Sequence, residues 1–309
     1  MQYFFLSRLL SAVVVVLGVA CLVFLLIHFI PGDPVEVMLG EGAQPADRQA
    51  LRQVLGLDRP LLVQLGQFLQ GLAQLDLGTS LYSQRPVMEL LAERLPATVE
   101  LALAALLVAI LIAFPLGVLA AVRRGTIWDR AASAFALLGV SVPNFWLGPM
   151  LILVFSIGLG WFPVSGRAGL SSLVLPALTL GSALAAILSR MVRAALLEVL
   201  GEDYIRTAKA KGLSARRVIW WHGLRNALLP LITVLGLQLG ALLGGAVITE
   251  VVFSWPGIGQ LTIESIQRRD YPVVQGCVLL ISLSYVAINT LTDLIYGWAD
   301  PRVRLGIGE

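Results

Sequence analysis

The residues best placed to do chemistry with another molecule lie between Arg190 and Pro230. Glu202 and Asp203 open a short run there, Lys209 and Lys211 close it, and Gly212 follows. Acids at the start, lysines at the end and a glycine just beyond complement the dipole of a short helix and cap its C-terminus. Gly201 breaks the helix before it, and Ser214 is placed to cap a second one running through Trp220 and Trp221. Thr207, Ala208 and Ala210 keep the run slim, a shape suited to another protein's groove. Composition alone equally allows a solvated connector, because short capped helices are common.

Other reactive side chains are few. His28 and His222 fall on opposite sides of the membrane in the topology derived below, so they cannot share a Ser/His or metal site. Cys21 and Cys277 lie in long apolar stretches, which argues against a disulfide scaffold or a cysteine zinc site. No GxxxxGK[ST] phosphate loop is present. Asp293 is the one acid well inside an apolar run, with Asn289 one turn earlier on the same face. An intramembrane carboxylate is a functional candidate by default, and pairing near the inner interface, marked by Trp298 and Arg302, is the structural alternative. Gly236, Gly240 and Gly244 at i, i+4, i+8 allow close helix approach, for packing or for lining a pathway. The sequence points to no catalytic residue and no metal site.

The elements that must position these residues are membrane spans. The chain has 309 residues, 58% apolar and only 13% charged, whereas roughly a quarter of a soluble domain is charged. Its 22 basic and 19 acidic residues are nearly balanced, and the basic ones fall between apolar runs, which excludes a nucleic-acid footprint. Runs long enough to cross the hydrocarbon core as a helix occur at about Leu9 to Ile30, Ala97 to Val122, Ala131 to Ile157, Ser172 to Ser189, Leu228 to Thr249 and Val273 to Trp298. With the N-terminus inside, the inner side carries fourteen basic residues, eight of them between Arg190 and Arg225, against Arg167, Arg268 and Arg269 in short outer loops. The five in the long outer segment are discounted because long loops do not steer insertion, so both termini are expected inside.

The expected layout is therefore all-α. A signal-anchor span occupies residues 1–30, an external segment 31–96, a core transmembrane domain 97–299 containing the inner loop 190–229, and a tail 300–309. Gly18-Val19-Ala20-Cys21 faintly resembles a lipoprotein cleavage site, but the apolar run continues well past Cys21. Pro31-Gly32-Asp33-Pro34 ends the first span sharply. In the external segment Leu65, Phe68, Leu69 and Leu72 fall at i, i+3, i+4, i+7 opposite Gln64, Gln67 and Gln74, predicting an amphipathic helix. Pro115, Pro143, Pro149 and Pro176 sit in or beside spans, where kinks are tolerated in lipid.

Arg206-Thr207-Ala208-Lys209-Ala210-Lys211-Gly212 followed by Leu229-Pro230 resembles the cytoplasmic EAA loop of type I ABC importer membrane subunits. In particular it is similar to the dipeptide, oligopeptide, glutathione and nickel permease family. Four more segments resemble that family in order: His28-Phe29-Ile30-Pro31-Gly32-Asp33-Pro34, Phe253-Ser254-Trp255-Pro256-Gly257-Ile258-Gly259, Arg269-Asp270-Tyr271-Pro272-Val273-Val274-Gln275 and Asp300-Pro301-Arg302. The resemblance covers nearly the full length. Arg206 replaces the leading glutamate of the general pattern, and the interval from Gly212 to Pro230 is longer than in sugar importers, both as in the peptide-permease branch.

The resemblance implies the type I importer permease fold with six spans and both termini inside, in a bacterial inner membrane. It implies a coupling helix whose Asp203, Tyr204, Arg206, Thr207, Ala208, Lys209, Lys211 and Gly212 dock on a cytoplasmic ATPase. Two such ATPases carrying ATP and Mg, a second homologous permease and an external substrate-binding protein are the implied partners, with no cofactor on this chain. Peptide is the implied cargo, with glutathione or nickel chelates as alternatives. An ion-coupled carrier would show several intramembrane ionisable groups or inverted repeats, and this chain offers Asp293 alone.

Overall fold

The computed structural model describes residues 2–29, 35, 39, 44–54 and 56–299. The Pro31–Pro34 turn and the Asp300–Arg302 motif lie outside them. The described chain is helical throughout, with no strand and one isolated bridge between Thr79 and Pro86. In chain order the helices are α1 (Gln2–Phe29), α2 (Pro45–Val54), α3 (Leu61–Ala73), α4 (Val87–Val122), α5 (Ile127–Ser141) and α6 (Asn144–Leu151). A π-helical stretch, Ile152–Gly158, continues α6. Then come α7 (Leu170–Leu200), α8 (Asp203–Ala210) and the single turn α9 (Ala215–Arg217). A second π-helical stretch, Val218–Leu224, leads into α10 (Arg225–Gly245), followed by α11 (Val247–Val252), α12 (Ile258–Gln267) and α13 (Tyr271–Ala299).

All six expected apolar runs fall on helices. Helices α4 and α7 and residues 271–292 of α13 are each long and apolar enough to cross a membrane. Two bent helix pairs, α5 with α6 and its π extension, and the pair running from Ala215 to Leu243, bring the number to five. The run at residues 131–157 is not the straight span that its length suggests, because it turns through 102° between Ser141 and Asn144. Val142 there is extended, at φ −87° and ψ 116°. Proline at 143 disfavours the α region for its predecessor, and its own missing N–H leaves a ladder bond unmade, so the break falls where the covalent chemistry demands it. Pro176, by contrast, sits inside a continuous helix, whereas the second bent pair turns through 55° between Leu228 and Pro230.

The chain divides into two compact units, residues 1–98 with 256–284 and residues 99–255 with 285–309. The core of the first is a cluster of Val87 and Leu91 from α4, Ile258 and Leu261 from α12, and Val273 and Cys277 from α13. Cys277 is fully buried there, a packing residue with no disulfide. Val23 of α1 packs on Val274 of α13. The predicted amphipathic helix is α3, and Phe68 on its apolar face meets Phe24 of α1 with ring centroids 5.8 Å apart. The buried Asp270 carboxylate accepts hydrogen bonds from the Ser80 hydroxyl and from the Leu81 N–H at 3.0 Å. It thereby pins the turn before α4 to the start of α13, and Arg268 lies 4.4 Å from the centre of the Tyr82 ring in the same corner.

The second unit is held by close helix approaches. A Cβ placed at Gly117 of α4 would lie 2.7 Å from the Ser189 carbonyl of α7, and one at Gly139 of α5 would lie 2.8 Å from Ala186 Cβ. Both are under the separation real side chains show, so only glycine lets these helices approach as they do. Between α5 and α7, Arg193 donates to both oxygens of Asp129, Nε to Oδ1 at 2.6 Å and Nη2 to Oδ2 at 2.9 Å. Gly125 N–H adds a third bond to Oδ2 at 2.9 Å, satisfying the buried carboxylate. Elsewhere in the unit Arg167 pairs with Glu100 at 2.6 Å and lies 5.9 Å from the Trp255 ring.

Candidate functional site

The Arg190–Pro230 loop is built on α7, which carries the chain to Leu200 and ends on Gly201. One residue later α8 begins, eight residues long where the sequence suggested about ten. Its first turn holds Asp203, whose carboxylate accepts from Arg206 at 3.2 Å and whose carbonyl accepts from the Thr207 hydroxyl at 3.1 Å. Its last turn holds Lys209, so charge complements the dipole at both ends. The C-terminus closes with Leu213 N–H donating to the Ala208 carbonyl at 3.3 Å and Gly212 N–H to the Lys209 carbonyl at 3.0 Å. These are the two bonds of a Schellman cap, which needs a left-handed residue, and Gly212 supplies it at φ +77°. Ser214 then caps the next turn, accepting from Arg217 N–H at 3.4 Å as expected.

The two faces of α8 are sharply different. Ile205 and Ala208 are buried and pack with Val218, flanked by Leu200 and Leu213. Asp203, Arg206, Thr207, Lys209, Ala210, Lys211 and Gly212 are exposed. Within this chain Ala208, expected from the sequence on the docking side, faces inward against Val218. The physical reason is the period of the helix, which puts position 208 three residues beyond Ile205 on one face. The predicted polar face is otherwise free. Tyr204 stands at its edge, its hydroxyl accepting from Asn226 Nδ2 at 2.7 Å, a tie from α8 to α10 that sequence reasoning missed. Twenty-two residues separate the partners, and no periodic signal connects them.

Gly236 and Gly240 of α10 lie at close helix contacts. A Cβ at Gly236 would collide with the Thr292 hydroxyl of α13 and sit 2.7 Å from Thr292 Cβ, and one at Gly240 would lie 3.0 Å from Tyr285. Asn289 belongs to this contact, its Oδ1 3.6 Å from the same Gly240 position. Gly244 lies in α10 and Asp293 in α13, and their surroundings fall outside the described residues. A separate cleft of about 960 Å³ opens between α5, α7 and α10. Leu137, Ile187, Met191 and Leu231 give it apolar walls, and Arg190, Arg193 and Glu198 from α7 give it charge. Among the described residues, neither the glycines nor Asn289 lines it. Arg193 is already committed to Asp129, which leaves Arg190 and Glu198 as its exposed charged groups.

The comparisons with known proteins follow the same lines. Residues 113–305 match the model of the binding-protein-dependent transport system inner membrane component, and residues 1–102 match the N-terminal model of such membrane components. The chain is 44% identical to the dipeptide transport system permease protein DppB of Escherichia coli K12, over 98% of this chain and 99% of that one. It is 43% identical to the glutathione transport system permease protein GsiC of Salmonella choleraesuis, with the same coverage. Among solved structures, a chain of the inward-facing MetNI methionine ABC transporter superposes with a TM-score of 0.59 at 25% identity. That superposition covers 69% of this chain and 97% of the other.

Proposed function

The chain belongs to the family of binding-protein-dependent transport system inner membrane components, and we propose that it forms half of the passage through which an ATP-driven importer takes up peptides. As a permease subunit it supplies the route and not the hydrolysis. Its partners on this reading are two ATPases carrying ATP and Mg, a second homologous permease and an external binding protein. The six apolar runs support six spans, the distribution of arginine and lysine supports both termini inside, and the family supports a bacterial inner membrane.

The observation that carries the mechanism is the two-faced construction of α8. Its inner face is locked to the protein by Ile205 and Ala208 against Val218, and its outer face offers Arg206, Thr207, Lys209 and Lys211 to an ATPase cleft. A push on the outer face therefore moves the packed segment as one piece. The Tyr204–Asn226 hydrogen bond passes the movement to α10, biasing the spans between their two access states. The cleft between α5, α7 and α10, with Arg190 and Glu198 at its charged wall, suits a zwitterionic cargo near its exit.

Dipeptide or oligopeptide is the favoured cargo, supported by the similarity to DppB, and glutathione is the second reading, supported by the similarity to GsiC. Reconstitution in proteoliposomes with the neighbouring ATPases and binding protein tests both. ATP-dependent uptake of radiolabelled dipeptide supports the peptide reading, and uptake of glutathione alone selects the second. Failure of both with a competent binding protein would refute the assignment of cargo.

A further inference from the structure

Beyond the coupling helix, the chain makes a cationic aromatic groove that the transport reading does not use. The π-helical stretch Val218–Leu224 turns Val218, Gly223 and Leu224 inward, where they are buried. A Cβ at Gly223 would lie 3.0 Å from Leu196 of α7, so this side sits tightly on the protein. The opposite side displays Trp220 and Trp221, 52% and 64% exposed, next to Arg216 and Arg217. The groove has a volume of about 710 Å³ and is lined by Ser214, Arg216, Arg217, Trp220, Trp221 and His222. Neither arginine makes an ion pair among the described residues.

We propose that this groove binds the headgroup of an anionic phospholipid. Two guanidinium groups supply forked donors that match a phosphate diester, with the His222 ring and the Ser214 hydroxyl beside them. The indoles belong where an apolar helix meets water, since tryptophan concentrates at that boundary, and the apolar α10 begins immediately after, at Arg225. Arg225 lies 5.7 Å from the centre of the Trp221 ring, holding that indole upright at the groove's edge. The two features together, unpaired arginines and exposed indoles at the root of an apolar helix, fit a lipid better than a soluble anion. A free phosphate would use the arginines and leave the indoles bare.

The test uses the purified full-length chain in complex with its partners, stripped of lipid in mild detergent. Dioctanoyl phosphatidylglycerol, dioctanoyl phosphatidylcholine and inorganic phosphate are titrated separately and followed by native mass spectrometry. The wild-type complex is expected to bind phosphatidylglycerol in preference to phosphatidylcholine. An arginine at a membrane surface contributes about fivefold, so the R216Q/R217Q variant should bind phosphatidylglycerol roughly thirtyfold more weakly while its phosphatidylcholine binding stays the same. A wild-type complex without headgroup preference overturns the proposal whatever the variant does. So does inorganic phosphate displacing the lipid at equal concentration, which would mark a soluble-anion site. A variant that loses the ATPases yet keeps phosphatidylglycerol binding would also overturn it, marking a protein contact.

Discussion

Asn226 Nδ2 donates to the Tyr204 hydroxyl at 2.7 Å, joining the eight-residue helix α8 to the first turn of α10. On the proposed mechanism it is a polar link through which a displacement of α8 would reach α10. Replacing Tyr204 with phenylalanine keeps the ring and deletes the link. We expect ATP hydrolysis by the assembled importer to persist and uptake per ATP to fall by about threefold, the scale of one partly exposed hydrogen bond. Parallel measurement of phosphate release and substrate uptake in proteoliposomes checks it. Equal losses in both would mean that the bond serves assembly and not transmission.

Ala208 and Lys209 are neighbours with opposite duties, one buried against Val218 and one exposed. Ala208→Glu should loosen α8 from its own protein, seen as faster proteolysis of the loop even without ATPases. Lys209→Glu should leave proteolysis of the isolated permease unchanged and weaken recovery of the ATPases in a pull-down. If Lys209→Glu recovers them at wild-type levels, the exposed face of α8 is not where they dock.

Gly236 and Thr292 fit together with no room for a methyl group. Gly236→Ala is expected to destabilise the protein by about 2 kcal/mol, the usual scale for overpacking a close contact. A compensating Thr292→Gly in the same chain should recover part of the loss by removing the Cβ that lies 2.7 Å away. Thermal unfolding in detergent reports both. An additive loss in the double variant would show that the two positions do not share one contact.

With Cys21 and Cys277 replaced by alanine, a cysteine at Gln67 should react with an impermeant maleimide on intact cells. One at Lys209 should react only after permeabilisation. Both side chains are exposed on their helices, so in cells that express the permease without its ATPases accessibility is decided by the membrane. The reverse pattern would invert the topology.

Much of the architecture could be read from composition and period, because lipid leaves a chain few choices. The apolar runs mark the helices, the Leu65 to Leu72 spacing marks α3, and the Gly201 to Gly212 punctuation marks α8 within a residue or two. What escaped depends on partners far apart in sequence. Asp129 and Arg193 stand 64 residues apart, and nothing local in either announces the other. Pro143 announces a break but not its 102°. The inward side of Ala208 was within reach of the sequence: Ile205 is the one large aliphatic residue of α8, and position 208 shares its face. The smallness of Ala208 lets it pack on Val218 within the chain.

The turn at Val142 and Pro143 bears on how the protein is made as well as how it works. At 1.5 Å per residue the fifteen residues of α5 reach about 22 Å, short of the roughly 30 Å of hydrocarbon a segment must cross to settle in a bilayer alone. Once bent, this segment has no stable transmembrane resting place of its own. Its stability comes from α7, through Gly139 on Ala186 and Asp129 on Arg193, and α7 is synthesised later. The contacts that seat residues 127–158 on α7 therefore become available only once the chain has been made as far as Arg193.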